Sequence, residues 1–260
     1  MSPRDVYLLT ADAAPLVLAL VVVCWIASLI RRDSSLVDRI WGFGFVLLAH
    51  HHGTVAAEQG GRVDRLLATL VLIWGLRLTW HITRRNWGHG EDPRYAAMRT
   101  RNGARWWWQS LFTVFVLQGG LMLLIGLPLT AIAAPGATWG RVLGTLLWAV
   151  GFAFEAGGDW QLTRFRANPA NRGQVLETGF WRYSRHPNYF GDALQWWGFW
   201  CFAAATGLWW TVLSPVLMTL LLLKVSGVTL LESALVNSKP AYRDYIRRTP
   251  AFFPRWPKDR

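Results

Sequence analysis

The sequence has little of what small secreted proteins and soluble nucleotide-binding domains are built from. Its two cysteines, Cys24 and Cys201, both fall inside apolar stretches, so no disulfide framework is present and both read as packing residues. No G-x-G-x-x-G or P-loop occurs, which excludes an ordinary soluble nucleotide domain. His50, His51 and His52 are accompanied by no H-E-x-x-H, Cys pair or carboxylate cluster. Neighbours on a helix point about 100° apart and do not converge on one ion, so no metal is expected. Internal repeats, low-complexity tracts and long linkers are also missing, and one integral membrane domain over residues 1–260 is the simplest organisation.

What is present is apolar: 53% of the 260 residues are hydrophobic and 18 are Trp. A hydrocarbon core about 30 Å thick needs roughly 20 mostly apolar helical residues. Stretches near that length lie at 12–30, 40–57, 66–83, 110–131, 139–157, 189–206 and 208–225. Arg4 is offset by Asp5 and no small-residue cleavage site follows the first run, so the first span is expected to be retained and to end at Arg31 and Arg32. Gly207 is expected to break the last two spans into a hairpin, with Pro215 inside the final helix. Net charge is +12, and 21 of the 27 Lys and Arg fall after spans one, three, five and seven. Cationic residues gather on the cytoplasmic side of membranes, so the pattern predicts an all-α, polytopic protein of about seven transmembrane helices, N-terminus outside and C-terminus cytoplasmic. A nucleic-acid-binding protein has no reason to alternate in this way, and membrane lipids are the partners that the arginines suit.

Polar residues gather at the cytoplasmic ends of these spans. Ser184 to Asp192, S-R-H-P-N-Y-F-G-D, stands immediately before an aromatic run. Pro187 suits a first helical turn, and Asn188, Asp192 and Gln195 then share one face at i, i+4 and i+7. A membrane-boundary loop, with Arg182 and Arg185 at the headgroups, is the structural alternative. Span five ends in Glu155 and Asp159, i, i+4 on one face, followed by Gln161–Pro169, where Arg164 and Arg166 present paired donors suited to phosphate. Arg77 and His81 lead into a turn-forming loop, Arg84–Tyr95, whose default is solvation. The tail carries Glu232, Tyr242, Tyr245, Arg247, Arg248 and Pro250–Pro254, which suit a surface helix or the closure of a cytoplasmic cavity formed mainly by 155–260.

On these residues the chain resembles the steroid 5α-reductase superfamily, in particular its bacterial branch of reductase-like integral membrane proteins of unassigned substrate. The resemblance rests on V-D-R-I-W-G-F-G-F at Val37–Phe45, G-L-R-L at Gly75–Leu78 and G-E-D-P-R-Y at Gly90–Tyr95. It continues through F-R-A-N-P at Phe165–Pro169, Trp181–Asp192 and the Glu232–Pro254 tail, covering about residues 37–254. The R-H-P-N-Y element alone is less specific, because isoprenylcysteine carboxyl methyltransferases and phospholipid methyltransferases share a similar one. The resemblance implies a helical membrane enzyme, in a bacterial inner membrane, whose cytoplasmic cavity holds NADPH while a hydrophobic substrate enters from the bilayer. By motif match it nominates Arg166, Asn168, Arg185, His186, Asn188, Tyr189 and Asp192 for the cofactor pocket, with Asp159 matched by spacing and Glu232 in the tail. A lysine that precedes F-R in sterol reductases is replaced here by Thr163 and Arg164, and the substrate-polarising Glu and Tyr of the 5α-reductases have no assigned counterpart.

The expected reaction is NADPH-dependent reduction of a carbon-carbon double bond in a steroid-like or isoprenoid substrate. Hydride addition to an enone develops charge on the carbonyl oxygen, where Tyr189 or Tyr95 would donate a hydrogen bond. Asp192 would hold the nicotinamide amide or relay a proton, and Arg164, Arg166 and Arg172 would meet the phosphates. Two alternatives stand beside it: S-adenosylmethionine-dependent methyl transfer to a membrane lipid or thiol, and a non-enzymatic lipid-binding role.

Overall fold

The computed structural model describes residues 1–225, 228, 232 and 241–256, and among them every regular element is helical. The chain groups into two compact units, Met1–Thr138 with Phe202–Thr211, and Trp139–Cys201 with Val212–Arg260.

The first unit opens with helix α1, Pro3–Arg31, started by a capping box in which Asp5 N–H donates to Ser2 Oγ and Ser2 N–H to Asp5 Oδ2. It ends at Arg32, which takes the left-handed conformation at φ 52°. A short α2, Leu36–Arg39, leads into α3, Trp41–Glu58, which packs on α4, Arg65–Asn86. Their backbones meet at Gly42 and Gly75, where a Cβ on Gly42 would lie 2.2 Å from the Gly75 carbonyl oxygen. Paired small residues of this kind let membrane helices approach without a side chain between them. Of the Arg84–Tyr95 segment only Trp87–Asp92 is a loop, because Arg84–Asn86 complete α4. Asp92 accepts from Arg94 N–H at 2.9 Å and Pro93 occupies the first turn of α5, Pro93–Asn102. Helix α6, Trp106–Ser110, continues through a π turn, Leu111–Val116, into α7, Leu117–Ile125, so the expected span 110–131 is the later part of a longer helical run.

The second unit contains α8, Thr138–Ala167, the body of α9, Pro187–Ala204, α10, Leu213–Leu220, and α11, Tyr242–Arg248. The chain turns after α9 at Gly207, φ 92°, as its sequence position implied. Pro215 falls within the first turn of α10 rather than deep inside a helix, where its missing N–H leaves no broken bond.

Each of the seven expected spans is helical. Three helices are long and apolar enough to cross a membrane, Pro3–Arg31, Arg65–Asn86 and Pro93–Ile125, with a shorter apolar helix at Trp209–Lys224. In the others, His50–His52 in α3, Arg141 and Glu155 in α8, and Asn188, Asp192 and Gln195 in α9 lower the mean hydropathy.

Candidate functional site

The second unit is built on a glycine seam. Gly144, Gly151 and Gly158 recur every seven residues on α8, and Gly191 and Gly198 do so on α9. A Cβ on Gly191 would fall 2.4 Å from both Gly151 O and Glu155 N, one on Gly198 2.7 Å from Gly144 O, and one on Gly158 3.3 Å from Asn188 N. The seven-residue period keeps one stripe facing its partner along two antiparallel helices.

Close backbones bring short polar side chains into direct contact. Asn188 Nδ2 donates to Asp159 Oδ1 at 3.0 Å, and one turn deeper along α8 Gln195 Nε2 donates to Glu155 Oε2 at 2.6 Å. Asp159, Glu155, Asp192 and Gln195 are all buried. The Asn188–Asp192–Gln195 stripe expected from periodicity therefore faces the Glu155–Asp159 pair of α8 at its two ends. Asn188 Oδ1 is buried with no hydrogen-bond partner among the described residues, and buried polar atoms are rarely left so.

The turn before α9 is held by the C-terminal segment. Arg185 Nε and Nη2 form a fork on the Glu232 carboxylate at 2.7 and 3.0 Å, while Nη1 donates to the carbonyls of Ile246, at 3.1 Å, and Thr249. His186 Nε2 lies 3.2 Å from Glu232 Oε1, and the His186 ring stacks on Tyr189 at 5.5 Å. Arg185 N–H donates to Pro250 O at 2.9 Å, and Ser184 Oγ donates to Phe252 O at 2.8 Å while accepting from His186 N–H. Tyr245 OH donates to Trp181 O, and Trp181 Nε1 to Gly158 O at 3.0 Å. Burial acts to raise the Glu232 carboxyl, but the hydrogen bonds of His186 and Arg185 and the guanidinium charge outweigh it and bring it down to about 2. Burial, with Glu232 adding to it, pushes the Tyr242 phenol up to about 12.

Of the residues nominated from sequence, Asp159, Asn188, Tyr189 and Asp192 meet at or beside the α8–α9 seam, and Arg185, His186 and Glu232 form one ion-paired group. Arg185 spends most of its donors on the chain itself, so its observed work is holding the tail. Arg164, Arg166, Asn168 and Arg172 are exposed at the end of α8 and just after it. Arg164 lies over the Trp160 ring at 5.0 Å, and Asn168 Oδ1 caps the following turn by accepting from Ala170 N–H at 3.0 Å. Tyr95 belongs to the first unit, where its OH donates to Asp38 Oδ1 at 2.8 Å and accepts from Gln118 Nε2 at 3.1 Å. Burial raises the Asp38 carboxyl above its ordinary value against the pull of Arg94 and Tyr95. Elsewhere in that unit His51 pairs with Asp12 at 3.1 Å.

Sequence reasoning placed Ser184 and Trp181 within its motifs without giving either a role, and passed over Gln118. Ser184 carried a local signal, a hydroxyl two residues before a helix-starting proline. Gln118 was legible as a lone amide in an apolar run.

An all-helical chain with several apolar helices of membrane-crossing length is a polytopic helical membrane protein. Residues 24–249 match the model of the family described as "Protein of unknown function (DUF1295)", and the chain belongs to that family. It is similar to an uncharacterized protein of Schizosaccharomyces pombe, with 25% identity over 268 residues, covering 90% of this chain and 76% of the yeast protein. No solved structure matches it.

Proposed function

We propose that the second unit binds NADPH beside the Asp159–Asn188 hydrogen bond and that the protein reduces a carbon-carbon double bond in a hydrophobic, steroid-like or isoprenoid molecule drawn from the bilayer. The observation that carries this reading is the bond itself. It joins the helix leading into F-R-A-N-P to the helix opening at R-H-P-N-Y, the two elements by which the chain resembles the steroid 5α-reductase superfamily. The residues suit a nicotinamide dinucleotide. Asn188 Oδ1 is a buried acceptor fit for a carboxamide N–H, and the exposed guanidinium groups of Arg164, Arg166 and Arg172 suit phosphates.

NADPH, when bound, would supply hydride to the β-carbon of an enone and leave as NADP⁺. Tyr189, next to Asn188 on the first turn of α9, would donate to the carbonyl oxygen where negative charge develops, and Asp192 would pass a proton toward the α-carbon. Tyr95 is the alternative donor, but its proton already lies toward Asp38. Arg185, His186 and Glu232 would act by fixing the start of α9. The distribution of arginines supports an N-terminus outside and a site on the cytoplasmic face of a bacterial inner membrane.

Thermal unfolding of the detergent-purified chain with NADPH, NADH and S-adenosylmethionine tests the assignment, since a ligand that binds the folded state raises its stability. Stabilisation by NADPH, followed by enone-dependent loss of NADPH absorbance, is the expected result. Stabilisation by S-adenosylmethionine alone would overturn it and turn the pocket into that of a methyltransferase, which R-H-P-N-Y also suits. No response to any nucleotide would leave the lipid-binding role.

A further inference from the structure

A cavity lies wholly within the first unit. It has a volume of about 450 Å³ and is lined by Leu29 and Arg32 at the end of α1 and by Arg99, Ala104, Trp106 and Trp107 from α5 to α6. Its walls are fixed: Trp25 Nε1 on α1 donates to Trp107 O at 3.0 Å, and Trp106 Nε1 donates to Ser34 Oγ at 3.2 Å. Arg99 uses Nε and Nη2 on Glu91 at 2.9 and 2.8 Å, and its Nη1 makes no hydrogen bond among the described residues. Arg32 is the non-glycine residue held at positive φ among the described residues, and its guanidinium forms no ion pair with any of them. Within two residues of this lining along the chain, Arg31, Arg101 and Arg105 are exposed and likewise form no ion pair among the described residues.

We propose that this cavity is a binding site for the phosphate headgroup of an anionic phospholipid. The charge balance calls for an anion: among the described residues Arg32 and its exposed neighbours have no carboxylate partner, and Arg99 already has its own. The shape of the surroundings selects a lipid over a free anion. The cavity opens at the end of an apolar helix that is long enough to cross a membrane, beside exposed Ile26, Ile30 and Trp107, so acyl chains and headgroup can be held by one continuous surface.

Native mass spectrometry of the full chain in detergent, titrated with dioleoylphosphatidylglycerol, dioleoylphosphatidylcholine or inorganic phosphate, tests the site. Phosphatidylglycerol should bind in preference to phosphatidylcholine. Arg32→Ala should weaken it by about 5-fold, the effect of one surface cation on an anionic lipid. Ala104→Trp fills the cavity while keeping every charge, and should weaken phosphatidylglycerol by at least as much, with circular dichroism confirming that both variants remain helical. Inorganic phosphate should not displace the lipid. The proposal is overturned by equal binding of the two lipids, or by Ala104→Trp and Arg32→Ala binding phosphatidylglycerol as the unaltered chain does. Displacement by inorganic phosphate at concentrations comparable to the lipid would also overturn it, identifying a free-anion site instead. None of these readouts depends on NADPH.

Discussion

Replacing Glu232 with Gln removes one negative charge and almost no volume from the group that ties the C-terminal segment to the start of α9. The cost follows from the partners. Arg185 is only 7% exposed, and its fork to Glu232, at 2.7 and 3.0 Å, is its one carboxylate contact among the described residues. The fall of the Glu232 carboxyl from an ordinary 4.5 to about 2 corresponds to about 3 kcal/mol of charge-dependent stabilisation. That matches the low end of the ~3–5 kcal/mol lost when one partner of a buried pair is removed. Glu232 keeps 19% of its side chain exposed and Arg185 retains two carbonyl acceptors, so the expected loss is about 2–3 kcal/mol. For a chain of this size that is roughly 5–10 °C in Tm. Because the folded carboxyl titrates below the unfolded one, the contribution is complete above about pH 4.5 and fades as pH falls toward about 2. Unfolding in detergent followed by circular dichroism should show Glu232→Gln melting well below the unaltered chain near neutral pH, with the gap closing in acid. Equal melting at neutral pH, or a gap that persists unchanged in strong acid, would refute the reasoning.

Gly191→Ala would place a Cβ 2.4 Å from Gly151 O and should cost about 2–3 kcal/mol, whereas Gly120→Ala, with nothing within 4 Å, should be neutral or stabilising by up to ~1 kcal/mol in the same melting assay. Arg166→Ala, at an exposed position, should keep the fold and weaken NADPH about 10-fold or more by isothermal titration; unchanged affinity would remove Arg166 from the site. Tyr95→Phe should destabilise by about 1–3 kcal/mol through the bonds it denies Asp38 and Gln118, and should leave NADPH affinity as it was.

The helices were legible because apolar runs of membrane length state themselves, and the polar stripe of α9 was legible because 3.6-residue periodicity needs no partner. The glycine seam was not. Read along one chain, Gly144, Gly151 and Gly158 are helix-weakening residues; only opposite Gly191 and Gly198 do they become the surface that sets the spacing. The Arg84–Tyr95 segment, expected as one turn-forming loop, is helical at both ends for local reasons: α4 runs on through Asn86, and Asp92 and Pro93 together are an N-cap and first helical residue. The Asp159–Asn188 contact lay between the two readings. Both residues were nominated, but their meeting required the antiparallel register that the seam imposes.

That register separates two kinds of residue which the motifs present as one list. Ser184, Arg185 and His186 are engaged by the tail, through Phe252, Pro250, Thr249 and Glu232, and these contacts fix where α9 begins. Asn188 keeps capacity for another molecule in a buried amide oxygen with no hydrogen-bond partner among the described residues, and the arginines at the end of α8 are exposed. Substitutions in the first group should therefore lower stability and affinity together, while those at the exposed arginines lower affinity alone. A plot of Tm against NADPH affinity across both groups separates them, and a single line through all the variants would mean that R-H-P-N-Y and F-R-A-N-P serve the fold and nothing else.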